Sequence, residues 1–144
     1  MTHVLVVEDD PSNQVVIRKA LMKIGGYQVT VTEEVETILQ LARSGEIALV
    51  VMDISLSNST YAGRHVDGVV VTRLLKTDPA TSHIPVLLAT AYAMQGDAER
   101  LRAACGADGY ISKPFIEPRE LVEKVQALLE MGASSAGEAP ATET

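Results

Sequence analysis

Four stretches of the chain run from apolar residues straight into groups that could do chemistry. VLVVEDDP, residues 4–11, leads into Glu8, Asp9 and Asp10; ALVVMD, residues 48–53, ends on Asp53; LLATAY, residues 87–92, carries Thr90; and GYISKPF, residues 109–115, carries Lys113 ahead of Pro114. Clustered carboxylates repel, and a chain tolerates them cheaply only where water reaches all of them or something positive sits among them. A solvated acidic turn and a metal site both meet that condition, but two apolar runs ending in acid weigh against the turn. Oxygen-only donors suit a hard cation such as Mg2+, which keeps several of its waters, better than Zn2+. His3, His65 and His83 show no metal-ligand spacing. An anion held at Asp53 would then meet a metal, the Lys113 ammonium and the Thr90 hydroxyl. That environment suits phosphoryl transfer, where positioning and electrostatics supply most of the catalysis. Taken singly, Lys113 also reads as a solvated lysine before a proline turn and Thr90 as a strand-end residue. Their joint placement, each at the end of its own apolar run, carries the reading.

The elements that must position these groups alternate regularly. His3 to Val7 is a buried strand; Asp10-Pro11 supplies an N-cap and a proline at the first helical position, and Ile17, Ala20, Leu21 and Ile24 recur at helical spacing until Gly25-Gly26. A short strand spans 28–31, and a helix opens at 32–36 and stops at Ser44-Gly45. The third strand covers 48–52. After a polar loop, Asp67-Gly68 opens a helix carrying Val70, Val71, Leu74 and Leu75. Strand 85–89, helix 97–105, strand 109–112 and helix 118–131, with Leu121, Val125, Leu128 and Leu129 inward, complete five strand-helix units. Short runs buried on both faces, separated by helices, imply parallel strands with right-handed crossovers. The expected class is α/β: a doubly wound, flavodoxin-like five-stranded sheet of order 2-1-3-4-5. In that order the first and third strands are neighbours, and ligands bind beyond their carboxyl ends.

At 144 residues the chain fits one domain, expected over 1–131, and the small, polar, acidic run GASSAGEAPATET at 132–144 reads as a disordered tail or linker. The net charge of -7 argues against direct binding of nucleic acid, whose affinity rests on Lys and Arg meeting phosphates. Cys105, the single cysteine, allows no disulfide and reads as a small buried hydrophobe in a chain compatible with a reducing compartment. No run is long enough to span a membrane, and acids arrive by residue 8, unlike a signal peptide. A cytoplasmic location is expected, with no membrane partner.

These motifs, in this order and at these intervals, resemble the response-regulator receiver domain of two-component signalling over residues 2 to about 131. The resemblance implies Asp53 as phospho-acceptor. It implies Glu8 and Asp9 as the acidic Mg2+ pair, with Asp53 itself and the backbone carbonyl of Ser55 completing the metal set, and leaves Asp10 as the helix N-cap. Lys113, Thr90 and Ala91 are implied as phosphate contacts, Thr90 and Tyr110 as the switch pair, and Lys113–Pro114 as a cis peptide. The implied partners are a sensor histidine kinase or histidine phosphotransfer protein and a downstream effector, for a monomer that can dimerise on phosphorylation. The domain would be a signalling acceptor rather than an enzyme, assisting its own phosphoryl transfer and dephosphorylation. Two departures stand out. Ser57 occupies the place, four residues after the acceptor, where the family usually has proline; and NSTYAGRHV lengthens the following loop by about seven residues, a change that costs little as a surface insertion. The insertion reads either as tolerated surface or as a partner-specific lid around Tyr61, Arg64 and His65.

Rival readings explain less. Asp53-x-Ser55-x-Ser57 fits the D-x-S-x-S pattern of metal-dependent adhesion modules, but that leaves Glu8, Asp9 and Lys113 without a role. A dehalogenase-type phosphatase needs a second acid two residues after its nucleophile, where Ser55 stands. A phosphorylation-independent receiver-like scaffold commonly lacks the acceptor, an acid or the lysine, and all are present here.

Overall fold

Val, Leu and Ile crowd the strand runs, and a strand turns successive side chains to opposite faces, so a run apolar at every position fills two cores. The computed structural model describes residues 2–56, 59–90, 95–113 and 117–143, with side chains outside 95–98 and 132–143. Its main strands are β1 (His3–Val7), β2 (Gln28–Thr32), β3 (Leu49–Asp53), β6 (Val86–Thr90) and β7 (Gly109–Ser112); between β3 and β6 lie two short strands, β4 (Thr60–Tyr61) and β5 (Arg64–His65). The five main strands are parallel in the order β2-β1-β3-β6-β7, which is the expected 2-1-3-4-5 once the short pair is set aside. Leu5, Val7, Val50, Met52 and Leu88 face a core closed by α2 (Val35–Arg43) and α3 (Gly68–Thr77), which Cys105 at the end of α4 (Gln95–Cys105) also joins. Val4, Val6, Leu49, Val51 and Leu87 face a second core covered by α1 (Pro11–Lys19) and α5 (Pro118–Glu143). Cys105 is buried, as expected.

Register sets the site. Val7 pairs with Met52, Asp53 with Ala89 and Thr90 with Ser112, so the residues following β1 and ending β3 and β6 share one rim. The caps are those the sequence implies. Asp10 accepts from the Ser12 amide at 2.8 Å ahead of Pro11, and Asp67 accepts from the Val70 amide at 3.0 Å.

Three expectations are corrected. Ile24, expected on the buried face of the first helix, is 48% exposed: the helix widens into a π turn over Ala20–Ile24, and the wider turn rotates Ile24 off the face that Ile17 and Leu21 bury. The polar loop after β3 contains an antiparallel hairpin, Thr60–Tyr61 against Arg64–His65, turned by Ala62 and Gly63 at φ 54 and 80. Positive φ at both central residues gives a turn whose twist matches that of the strands. Third, the last helix does not stop at Met131 but carries helical backbone to Glu143. Once nucleated and packed, a helix gains a backbone hydrogen bond for each residue it adds other than a proline such as Pro140.

Candidate functional site

A cleft of about 370 Å³ opens at the carboxyl ends of β1 and β3, lined by Glu8, Asp9, Asp10, Asn13, Asp53, Ser55 and Lys113. Every element contributes by ending there. β1 stops at Val7 and releases Glu8 and Asp9 into the turn before α1; β3 ends on Asp53; β7 ends at Ser112, one residue before Lys113. The Lys113 amide donates to the Thr90 carbonyl at 2.8 Å, fastening the lysine backbone to the end of β6. Gly68, the first residue of α3, seats the helix against the acceptor strand. A Cβ there would overlap the Asp53 carbonyl, while the Gly68 amide donates to the Ile54 carbonyl at 2.9 Å.

Asp53 and Glu8 are only 3% and 1% exposed, which makes their charge state a question of what surrounds them. Lys113 Nζ donates to Asp53 Oδ1 at 2.8 Å and lies 3.5 Å from Glu8 Oε1. Glu8 Oε2 accepts from the Asp10 amide at 3.1 Å, and Asp53 Oδ1 accepts from the Ser55 amide at 3.1 Å. Burial, followed by the neighbouring Asp53 carboxyl, pushes the Glu8 pKa from 4.5 up to about 7, against the opposing pull of the Asp10 amide and Lys113. Glu8 Oε1 is sealed from solvent and makes no hydrogen bond. Oxygens of Glu8, Asp9 and Asp53 all lie within 4.8 Å of one another. An all-carboxylate set with a buried, unbonded oxygen fits a small hard cation, and a single lysine leaves the cluster short of positive charge.

The structure thus brings Glu8, Asp9, Asp53, Ser55 and Lys113 into one cleft. Thr90 ends β6, buried, one residue past the register partner of Asp53, and is not among the lining residues. Tyr110 is half-buried on β7 against the core shared by α2 and α3. Ala91 and Pro114, and with Pro114 the Lys113–Pro114 peptide, lie outside the described residues. Tyr61, Arg64 and His65 sit on the hairpin: Tyr61 packs on the core, Arg64 is exposed, and His65 Nε2 donates to the Leu56 carbonyl at 2.9 Å. The hairpin base is tied by Ser59 Oγ donating to the Glu33 carbonyl at 2.6 Å. Sequence reasoning did not single out Asn13 and Gln14. Asn13 lines the cleft, and Gln14 Nε2 donates to the Glu8 carbonyl at 2.7 Å. The only sequence signal for either is its position in the first turns of a helix that starts at the acidic turn.

A doubly wound sheet with three carboxylates and one lysine at its switch point defines a class of phospho-accepting signalling module. The response regulator receiver domain profile matches residues 4–126, and the chain belongs to that family: it is a receiver domain of two-component signalling. It is 39% identical over 126 residues to the polar-differentiation response regulator DivK of Brucella ovis, a match covering 88% of this chain and 94% of that one. Among solved structures it resembles a putative response regulator from Chloroflexus aurantiacus, with TM-score 0.76, 27% identity and coverage of 90% of this chain and 98% of that one. It also resembles the receiver domain of a sensor histidine kinase from Pseudomonas aeruginosa, a structure with a magnesium ion coordinated in its active-site cleft; there the TM-score is 0.74 and the identity 29%, over 90% of this chain and 98% of the other. No helix among the described residues is long and apolar enough to cross a membrane.

Proposed function

We propose that this receiver takes a phosphoryl group onto Asp53 from a phosphohistidine of a sensor kinase or phosphotransfer protein, with Mg2+ held by Glu8, Asp9, Asp53 and the Ser55 carbonyl. The observation that carries the reading is the 2.8 Å contact of Lys113 with a buried Asp53 carboxylate that has Glu8 and Asp9 beside it. An Asp53 oxygen attacks phosphorus while the P–N bond to the donor histidine breaks, and the electron pair leaves with the imidazole. Bound Mg2+ supplies positive charge to the phosphoryl oxygens. Lys113, already fastened through its amide to Thr90, meets the same developing charge from the side of β7. Thr90 and Ala91 contact the phosphoryl oxygens, and Tyr110 reports the change to an effector. The same set assists hydrolysis of the acyl phosphate, so the domain influences its own dephosphorylation.

The hairpin residues Tyr61, Arg64 and His65 serve partner choice, since they stand beside the acceptor loop without entering the cleft. Residues 1–131 form the signalling unit and 132–144 a tail or linker; the absence of apolar periodicity after Leu129 supports that division. A cytoplasmic site of action follows from a cytosolic kinase domain as donor.

The test is labelling by a small phosphodonor such as acetyl phosphate with Mg2+. Wild type should gain one base-labile, hydroxylamine-sensitive phosphate, and Asp53→Ala none. Persistent stoichiometric labelling of Asp53→Ala would overturn the acceptor, and an unlabelled wild type would favour a phosphorylation-independent scaffold.

A further inference from the structure

Three of the four acids that line the cleft, Glu8, Asp9 and Asp10, come from a turn of only three residues between β1 and α1, and a turn so short has little of its own to hold it. Besides the Ser12 amide that caps on the Asp10 carboxylate at 2.8 Å, three hydrogen bonds bear on it. The Asp10 amide donates to Glu8 Oε2 at 3.1 Å, the Gln14 amide donates to the Asp10 carbonyl at 2.9 Å, and Gln14 Nε2 donates to the Glu8 carbonyl at 2.7 Å. The first two form within the turn and the opening of the helix. The third is different, because it ties a side chain on the second turn of α1 back across the turn to the residue where the acids begin. Glu8 is thereby gripped at both ends, its carboxylate by the Asp10 amide and its carbonyl by Gln14. Asp9 lies between the two fixed points, so its backbone is held from both sides.

We propose that Gln14 is a positioning residue for the carboxylate set: its amide N–H, bonded to the Glu8 carbonyl, holds the β1–α1 turn in the form that converges Glu8 and Asp9 on Asp53. This rests on reading those three acids as the Mg2+ site. Convergence is costly without a cation, since like charges repel, and a turn released from Gln14 relaxes by letting the carboxylates separate. A receiver lacking this bond then has to re-form the turn each time it binds the ion, and its affinity falls by the free energy of doing so.

The experiment titrates Mg2+ into the full chain by calorimetry at a temperature where every variant is folded, comparing wild type, Gln14→Met, Gln14→Ala, Asp9→Asn and Thr81→Ala. Met keeps the length of Gln and removes the donor. Thr81 Oγ donates to the buried Leu75 carbonyl at 2.6 Å, away from the cleft lining, so Thr81→Ala serves as a variant weakened in stability alone. One hydrogen bond of ordinary net worth gives an expected loss of Mg2+ affinity of about 3- to 10-fold in both Gln14 variants. Thr81→Ala should bind like wild type, and Asp9→Asn should lose most binding. Amide resonances of Asp9 and Asp10 in metal-free protein should shift in Gln14→Met and not in Thr81→Ala. Gln14 variants that bind Mg2+ as wild type does, while Asp9→Asn does not, overturn the positioning role and leave the metal site standing. Equal weakening by Thr81→Ala assigns the effect to stability and also overturns it. A wild type that binds no Mg2+, or an Asp9→Asn variant that binds normally, removes the site and the proposal together.

Discussion

Glu8 shows at a single residue what the cleft costs when it holds no cation. Its pKa is raised by burial and by the Asp53 carboxyl to about 7. Below the ordinary value of 4.5 the group is neutral in both folded and unfolded chains, and its contribution is level. Between 4.5 and about 7 the folded protein holds the proton that the unfolded chain has released, so stability falls as pH rises through this window, and above it the loss is complete. A cation acts in the opposite direction, since it binds the ionised acid of the folded state alone. With EDTA present, the melting temperature of wild type should therefore drop relative to Glu8→Gln as the pH is raised from 5 to 8, and Mg2+ should shrink that difference. Parallel curves for the two proteins under both conditions would refute the assignment. The neighbouring charges predict an asymmetry as well. Asp53→Ala relieves repulsion and should leave the melting temperature unchanged or raised, whereas Lys113→Ala strips the cation from two buried acids and should cost on the order of 3 kcal/mol, as breaking a buried pair does. Denaturant unfolding in EDTA measures both.

The hairpin is the element that departs most from the family pattern, and its turn is under local strain. Ala62 sits at φ 54, a region that costs a residue with a Cβ about 1 kcal/mol and costs glycine little. Ala62→Gly should thus raise the melting temperature by a few degrees without touching labelling by a small phosphodonor. Joining Ser59 to Val66 through a short Gly-Gly link should likewise leave small-donor labelling within a few-fold while changing transfer from the cognate donor protein. Collapse of small-donor labelling would place the hairpin in the active site, and no change in either reaction would make it idle. The sequence left this hairpin unread for a physical reason: two-residue strands carry no apolar run, and Ala-Gly is a weak turn signal beside Asn-Gly. The strands β1, β3 and β6 were legible because each is a nearly continuous apolar run, and β2 because Val29 and Val31 alternate with polar residues. Asp10 and Asp67 were legible because capping is a local hydrogen bond between residues close in sequence. Ile24 misled because helical spacing assumes a regular helix, and the π turn is set by tertiary packing. Gln14 escaped because a polar side chain on a helix ordinarily reads as solvated face; only its distance to the Glu8 carbonyl gives it a role.

Across the whole molecule the two ends of the sheet are held differently. At the end opposite the cleft, Lys76 of α3 pairs with Asp108 at 2.8 Å and donates to the Ile84 carbonyl at 2.8 Å, while Asp108 accepts from the Val86 amide at 2.8 Å. That network ties the segments leading into β6 and β7 to α3, at the end of the sheet opposite the rim that carries Thr90 and Lys113. A phosphoryl group at Asp53 adds about -1.5 to -2 charges and strong acceptor oxygens at that rim. In the proposed switch the Thr90 hydroxyl would gain a charge-assisted bond by turning toward it, and Tyr110, on the adjacent strand and half-buried, would move further into the core. Magnitude limits how far this goes. A ligand shifts an equilibrium only by its differential interaction with the two states, and reversing 1:99 to 99:1 takes about 5.5 kcal/mol. A hydrogen bond to a charged group supplies about 1.5–3 kcal/mol, so Thr90 alone yields a partial shift and the remainder must come through Lys113 and the metal. Thr90→Ala should therefore keep phosphorylation at Asp53 but diminish the displacement of the Tyr110 ring resonances on adding beryllofluoride and Mg2+. Equal displacement in wild type and Thr90→Ala would show that the signal leaves the cleft by another route, with Lys113, bonded through its backbone to Thr90, the residue to vary next.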